Sequence, residues 1–472
     1  MSLNIASISQ DSLPGNVPNE SLHSDAAQVD ASRGGRGSPS GKVDATPEFF
    51  GTHTTYACAD GQARRRIYLD SAATTLMMKA PYLSLLDDLG HYANVHTDIH
   101  YSAVLMAERY EDAVAGILRY FNADPAVYTC LFDNTATACL NRFARLTATK
   151  EGDTVLISLM EHHSNDLPHR HFAAEHRHVP LLMCNGRPSS INLDRLETEL
   201  RGRRVRYVAV TACSNVTGIV NPIAEVATLC RRYGAMLLVD GSQAAAHLVP
   251  EAFDRADLAP DAFVFAGHKA YAPGSPGVLI IRKDLLDGQS PSLLGGGGVV
   301  DVSRDDYQLK SESFERENPG TPNVLGVLHI ARTLQALSAF GLPRIESHEK
   351  QLLGRLLGAL NKLDERCRIY GALPEDGCVR TGVLSFNLDG VEHRKLGRLL
   401  NDRFNVAVRV GCFCAHPYVR FLLRASDVLS PSPELEKGMV RVSLGLYTQA
   451  EDIDAFAAAL HEISRDGAVR AY

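Results

Sequence analysis

The sequence predicts an α/β fold, a large domain on a mostly parallel sheet followed by a smaller α+β unit. Three observations carry this. Short apolar runs and amphipathic stretches alternate from residue 128 to residue 240, the pattern of strand–helix–strand units and parallel strands. The residues that could do chemistry gather at the ends of those apolar runs, as at Asp240 and Lys269, and parallel sheets hold their ligands at the carboxyl ends of the strands. Beyond a long amphipathic helical region at about 324–363, strand-like and helix-like stretches form a compact α+β pattern.

The elements follow in chain order. Residues 1–64 lack periodicity, are dominated by Ser, Asn, Asp, Gly and Pro, and carry the cluster Ser32-Arg-Gly-Gly-Arg-Gly-Ser-Pro-Ser-Gly41. They read as a disordered tail. The tail has no apolar core after a basic start, as a secretory signal would, and Asp11, Glu20, Asp25 and Asp30 make it too acidic for a transit peptide. Order is expected from Arg66-Ile-Tyr-Leu-Asp-Ser-Ala-Ala-Thr-Thr75, a short strand entering a small-residue turn, with a helix from about Lys79. Apolar residues recur at helical spacing over 102–120. Strands are expected at 128–132, 154–158, 179–184, 205–212, before Asp240, at 262–266 and at 278–281, with helices at 193–201 and 223–232. In the C-terminal part, strands are expected at 383–388, 406–410 and 440–444, and helices at 391–403 and 451–464. The expected division is a large domain over 65–335, with 65–95 partly packing on the small domain, and a small domain over 336–472.

Composition narrows the function classes. A chain of 472 residues with 45% hydrophobic and 22% charged residues is ordinary for a globular protein of two or three domains. Net charge of -7 without a long basic run argues against nucleic acid and anionic membranes as partners. No stretch of 18 apolar residues exists to cross a membrane. The ten cysteines are scattered, several of them inside apolar runs (Cys130, Cys139, Cys213, Cys230). That suits free thiols in a reducing, cytoplasmic compartment. No Gly-x-Gly-x-x-Gly joins a strand to a helix, and Gly295-Gly-Gly-Gly298 has no Lys-Ser/Thr after it. Both common nucleotide fingerprints are therefore missing, and the glycine run by itself is a hinge or turn.

The chemistry centres on Asp261-Ala-Phe-Val-Phe-Ala-Gly-His-Lys269. A lysine just past a buried strand loses charge to desolvation and can form a Schiff base. Upstream, Leu238-Val-Asp-Gly-Ser-Gln243 adds a carboxylate and an amide at the end of a second buried strand. Pyridoxal phosphate (PLP) chemistry requires an acid for the pyridine nitrogen and a lysine for the aldehyde. Asp133-Asn-Thr-Ala-Thr-Ala-Cys-Leu-Asn141 runs from a strand into a helix N-terminus, as a phosphate site needs. A simple N-cap by Asn134 or Thr135 is the other reading. His162 and His163 are adjacent, and neighbours seldom ligate one ion together, so no metal is expected.

The segments Val239-Asp-Gly-Ser-Gln243 and Ala266-Gly-His-Lys269 resemble the class V, fold-type I PLP enzymes. Within that class they look most like Suf-type cysteine desulfurases and selenocysteine lyases, over about residues 66–464. The resemblance implies a seven-stranded, mostly parallel sheet between helices. It implies that Lys269 holds the cofactor, Asp240 faces its ring nitrogen with Gln243 nearby, His162 stacks on the ring and moves protons, and Asn215 lies near the phenolic oxygen. Phosphate would rest on Ala136, Thr137, Ser242 and His268, and on glycines 295–298 lent by a second subunit, hence a homodimer. Ala266 stands where the family often has a phosphate-binding serine. Asn94, His96 and His100 match an active-site loop, with His96 toward substrate and Thr97 in place of a usual arginine. Glu317-Asn-Pro-Gly-Thr-Pro-Asn323 resembles the turn closing the large domain. Arg441, in Gly438-Met-Val-Arg-Val-Ser443, would clamp a substrate carboxylate in bidentate fashion.

By the same resemblance, Val408-Arg-Val-Gly-Cys-Phe-Cys-Ala-His416 puts Cys414 at the persulfide-forming position, and Arg409 supplies the cation that favours a thiolate. By itself Cys414 also reads as a buried structural thiol. Gly-Cys-Phe-Cys is similar to molybdenum-cofactor sulfurases as well. Cys412 stays open between metal ligation, a disulfide and a neighbour that accepts or resolves persulfide. The expected reaction takes sulfur from L-cysteine or a related amino acid onto Cys414, leaves alanine, and passes sulfur to an acceptor protein. The alternative is another class V enzyme (aminotransferase, epimerase or lyase) without sulfur transfer. The insert 417–437 would reshape the mouth of the site.

Overall fold

The structure is a computed structural model. It describes residues 46–147, 149–248, 253, 255–287, 289–363, 366–425 and 438–466. Of the tail expected over 1–64, residues 1–45 lie outside the described residues, and order begins earlier than the sequence pattern suggests. Phe49 is 3% exposed, with its ring 5.3 Å from Tyr271 and 5.1 Å from Tyr447. One aromatic anchor in a polar stretch leaves no period to read. The hairpin β1 (Thr55–Ala57) and β2 (Ala63–Arg65) follows, then β3 (Ile67–Tyr68).

The central sheet uses β4 (Tyr128–Asp133), β5 (Thr154–Ser158), β6 (Glu175–Val179), β9 (Val205–Thr211), β10 (Met236–Asp240), β11 (Ala262–Ala266) and β12 (Gly277–Arg282). Its order is β4-β12-β11-β10-β9-β5-β6. Only β12 runs against its neighbours, so the sheet is mostly parallel. Strands buried on both faces must be apolar throughout, which is why β5 and β11 read as continuous runs. The strand expected at 179–184 is divided at Pro180. β6 takes the edge of the central sheet, while β7 (Leu181–Cys184) folds back on β8 (Arg187–Ile191) as a separate antiparallel pair. Proline offers no N–H to a ladder, so the break falls there.

After the hairpin β13 (Val299–Val302) and β14 (Tyr307–Leu309), the expected helical region at 324–363 is two helices, Val324–Phe340 and Leu342–Asn361, bent by 78°. The bend is at Gly341, whose φ of 100° is one that glycine adopts freely. The first helix is apolar because it is buried, packing against Tyr101–Tyr120. No single helix among the described residues is long and apolar enough to cross a membrane. The C-terminal sheet has the order β15 (Cys367–Ile369), β16 (Val383–Leu388), β19 (Met439–Ser443), β18 (Arg409–Gly411), all antiparallel. The strand expected at 406–410 splits. β17 (Val406–Ala407) pairs with β3, while β18 pairs with β19. Helices His393–Phe404 and Ala450–Arg465 cover this sheet. Helix His416–Ala425 occupies the start of the expected insert, and residues 426–437 lie outside the described residues.

His247 and Glu349 form a buried ion pair between the segment after β10 and helix Leu342–Asn361. Burial alone would lower the pKa of His247, but the Glu349 carboxylate outweighs it and the net shift is upward. The pair therefore stabilises the fold most at pH below the ordinary histidine value, and this contribution is lost as pH rises through the raised one. Replacing His247 by alanine leaves a buried carboxylate alone. A loss of about 3–5 kcal/mol is expected in urea unfolding at mildly acidic pH.

Candidate active site

The carboxyl ends of β4, β5, β9, β10 and β11 converge on a cavity of ≈ 290 Å³. Lys269 stands at its base, at the end of the 3-10 turn Gly267–Lys269 that follows β11. The turn is pinned through the His268 carbonyl, which accepts from Thr75 N at 3.0 Å and from the hydroxyls of Thr74 and Thr75 at 3.1 Å each. Lys269 is half-buried. Desolvation lowers its pKa, Arg441 adds to this, and Asp240 and Cys414 oppose it. A neutral amine is thus available for carbonyl chemistry.

Asp240 ends β10 and faces the same cavity, its Oδ1 accepting from Ser242 N at 3.0 Å. Behind it lies a second carboxylate, Glu161. Burial raises the Glu161 pKa to about 8, against three donors that favour its ionised form: the Ser158 hydroxyl, Asn165 Nδ2 (2.6 Å) and Thr211 N (2.8 Å).

His162 Nδ1 accepts from Ser164 N at 3.1 Å. An atom that accepts from a backbone N–H carries no proton, so the ring is neutral with its proton on Nε2. Burial, then Lys269, His163 and Arg441, push its pKa down to about 3. Ser164 Oγ shares a 2.7 Å hydrogen bond with Thr137 Oγ1.

Thr137 and Ala136 open helix Ala136–Leu146, capped by Thr135 Oγ1, which accepts from Ala138 N at 3.1 Å. Their N–H groups and the positive helix end suit an anion. Gly277 lets β12 pack directly against this helix start, since a Cβ there would stand 2.3 Å from Ala136 N. Ser242 and His268 complete this side. Burial and Lys269 hold the His268 pKa down to about 4.

The opposite wall belongs to β19 and the turn after β18. Arg441 is 2% exposed; Nη1 donates to Asn215 O at 2.9 Å, Nη2 to Asp70 Oδ1 at 3.0 Å, and Cζ lies 5.0 Å from the Phe413 ring centroid. Its Nε is buried and has no hydrogen-bond partner. Arg409 lies half exposed at 4.0 Å from Asp70 Oδ2. Asn215 lines the cavity, but its Nδ2 is committed to Phe413 O at 2.9 Å. Cys414 is exposed at the mouth, not buried. Phe413 and Cys414 take φ of 51° and 53°, a left-handed pair that side-chain-bearing residues adopt only under local constraint. Cys412 is half-buried, and burial pushes its thiol pKa up.

Eleven of the expected site residues therefore share one cavity: Ala136, Thr137, His162, Asn215, Asp240, Ser242, His268, Lys269, Arg409, Cys414 and Arg441. Two lie elsewhere. Gln243 Nε2 donates to Ala72 O at 2.8 Å, so its amide braces the Ala72–Ala73 turn, which itself lines the cavity. His96 is exposed, with Nε2 2.8 Å from Gly320 O and its ring against Gly297, outside the cavity wall. Asp70, Glu161, Ser164 and Phe413 are the residues that sequence reasoning passed over. Asp70 sits inside the quoted stretch 66–75 and Glu161 directly precedes the His162–His163 pair, each a charged residue just past a strand, and that signal could have flagged both. Among the described residues no group of three or more His, Cys, Asp and Glu side chains is placed to hold a metal.

An amine of lowered pKa, a facing carboxylate and a helix end suited to an anion, all at the ends of parallel strands, define the class: an α/β enzyme built to hold PLP. The donor set fits that cofactor on charge, with an amine, a carboxylate and the N–H groups of a helix start lining one cavity. The model of the aminotransferase class-V family matches residues 67–456. A probable cysteine desulfurase of Halalkalibacterium halodurans is 32% identical over 400 residues, 84% of this chain and 92% of that protein. The cysteine desulfurase of Dickeya dadantii is also 32% identical, over 84% of this chain and 92% of its own length. Among solved structures, the apo cysteine desulfurase of Thermococcus onnurineus NA1 superposes with a TM-score of 0.73 at 27% identity, covering 85% of this chain and 95% of that one. The chain belongs to the class V aminotransferase family, and its fold is that of the fold-type I PLP enzymes.

Proposed function

We propose that the protein is a PLP-dependent cysteine desulfurase that carries sulfur on Cys414. One observation carries this reading: an exposed thiol on a constrained turn shares a single cavity with a half-buried lysine of lowered pKa and a buried arginine. Lys269 would hold the cofactor's aldehyde, Asp240 its ring nitrogen, and Ala136, Thr137, Ser242 and His268 its phosphate. When bound, PLP supplies an electron sink for charge at the substrate α-carbon.

The chain's own groups do the rest. Arg441 presents its unpartnered Nε and its Nη2 edge to the substrate carboxylate, which takes over the place of Asp70 Oδ1. Lys269 Nζ accepts and returns a proton at the α-carbon, and neutral His162 offers its Nε2 proton. The Cys414 thiolate attacks the substrate sulfur. A sulfur–sulfur bond forms, the carbon–sulfur bond breaks with its electron pair left on carbon, and a proton on that carbon gives alanine.

The exposed Cys414 suits transfer of the sulfur to an acceptor protein, with Cys412 at hand as a neighbouring thiol, as the likeness to Gly-Cys-Phe-Cys sulfurases suggests. A homodimer is supported by exposed apolar side chains (Ile99, Tyr101, Val300 and Val302) near the glycine run and its His96 contact. Ten cysteines scattered along the chain, several of them in apolar runs, fit a reducing, cytoplasmic setting. The test is incubation of PLP-loaded protein with L-cysteine and a reductant. Alanine and sulfide in equal amounts are expected. A 2-oxo acid or ammonia without sulfide would move the protein to carbon–nitrogen chemistry.

A further inference from the structure

The second histidine of the His162–His163 pair has no part in the chemistry above, yet it touches the thiol-bearing turn twice. His163 N donates to Cys414 O at 2.7 Å. His163 Nε2 accepts from the backbone N–H of His416, two residues further on, at 3.2 Å. The two imidazoles stack, centroids 4.9 Å apart and planes at 16°, with His416 Nδ1 also 3.2 Å from His163 Nε2. A backbone amide can only donate. His163 is therefore neutral with its proton on Nδ1, and its Nε2 lone pair satisfies one of the free N–H groups that open helix His416–Ala425. The first contact falls on the turn where Phe413 and Cys414 are both left-handed, and the second follows it across Ala415.

We infer that His163 is a positioning residue for Cys414, its backbone holding the Cys414 carbonyl and its neutral ring holding the His416 amide, so that protonation of the ring releases the turn that carries the thiol. A protonated Nε2 would point a hydrogen at the N–H it now accepts from, and the contact turns from attraction to repulsion. The groups facing this ring are His416 on its stacked side, His162 along the chain, and Asp166 and Arg170 on the following segment. Burial first, then His416 and Arg170, disfavour the charged ring, and Asp166 favours it, with a net downward shift. The clamp is therefore closed at neutral pH and opens below the ordinary histidine range.

Hydrogen exchange on the PLP-loaded protein reads this directly, whether or not cysteine proves to be the substrate. Exchange of peptides covering residues 412–420, corrected for intrinsic rates, is compared between about pH 8 and about pH 5, either side of the histidine range. Peptides from helix Ala450–Arg465 serve as the control for global opening. In the wild type, protection at the His416 amide is expected to fall roughly tenfold at the lower pH, the scale of one lost hydrogen bond. His163→Gln places an amide oxygen about where Nε2 stands and cannot be protonated, so its protection is expected to stay high at both pH values. His163→Ala is expected to show the low value at both. The inference is overturned if His163→Ala exchanges like the wild type at the higher pH, or if His163→Gln keeps the wild-type pH step.

Discussion

A Lys269→Met variant is expected to release no sulfide above background while becoming the more heat-stable protein without cofactor. Methionine fills nearly the same volume, so the cavity walls stay in place. What is lost is the one lysine amine that lines the site among the described residues, and with it the proposed covalent hold on PLP and proton carrier at the α-carbon. A rate loss of at least about 10³-fold is expected, since positioned proton transfer alone is worth up to about 10⁴-fold. Stability moves the other way. The folded-state pKa of Lys269 lies below its ordinary value because burial penalises the charge. Below the unfolded-state pKa the unfolded chain binds that proton more tightly, so native Lys269 weakens the apo fold at neutral pH. Methionine removes the penalty. Thermal unfolding of the apo proteins at neutral pH checks the sign; a variant that melts lower would mean that the amine is satisfied in the native state.

Cys414→Ser is expected to separate two roles that Lys269 combines. Serine keeps the size of the side chain, and the His163 and Asn215 contacts to this turn go to main-chain atoms. The variant should bind PLP as the wild type does and turn the same yellow. Release of sulfide and alanine from L-cysteine should fall roughly 10³-fold or more, the scale on which removal of a nucleophile acts. Unchanged sulfide release would assign the sulfur chemistry to another thiol, Cys412 being the nearest in sequence. A 2-oxo acid in place of alanine and sulfide, from wild type and variant alike, would take the protein out of desulfuration altogether.

Much of the site was legible because its chemistry is local. Lys269, Asp240 and the Asp133–Asn141 turn each sit where an apolar run ends, and a run of four or five buried residues is hard to mistake. Gln243 and His96 stand off the cavity wall because a motif fixes neighbourhood, not direction. Three residues past Asp240 the chain has already turned, and the Gln243 amide goes to the Ala72 carbonyl. Pro180 marked a break that length alone hid, since β6 and β7 run on in sequence but belong to different sheets. The pairing of Arg441 with Asp70, 371 positions away, has no sequence signature at all. It arises because Asp70 and Arg441 stand on adjoining strand-like segments, where Asp70 bridges to Ser443.

That last pairing belongs to a longer seam. β3 lies along β17, Asn405 Nδ2 donates to Arg64 O at 2.7 Å across 341 positions, and Arg65 meets Asp452 across 387. The same short segment then reaches the central sheet through Thr74 and Thr75. On the ribosome, the seven strands of the central sheet are all made by residue 282, but the segment that reaches from that sheet to the C-terminal one waits for partners made near the end of translation. Contacts so distant in sequence form late. A chain halted before residue 439 would hold the lysine and the anion pocket and lack the strand that carries Arg441 and seats Asp70. Carbonyl reactivity at Lys269 therefore precedes selectivity for an amino acid during the making of this protein, and pulse-labelled nascent chains of increasing length should gain pyridoxal phosphate binding before they gain any affinity for cysteine.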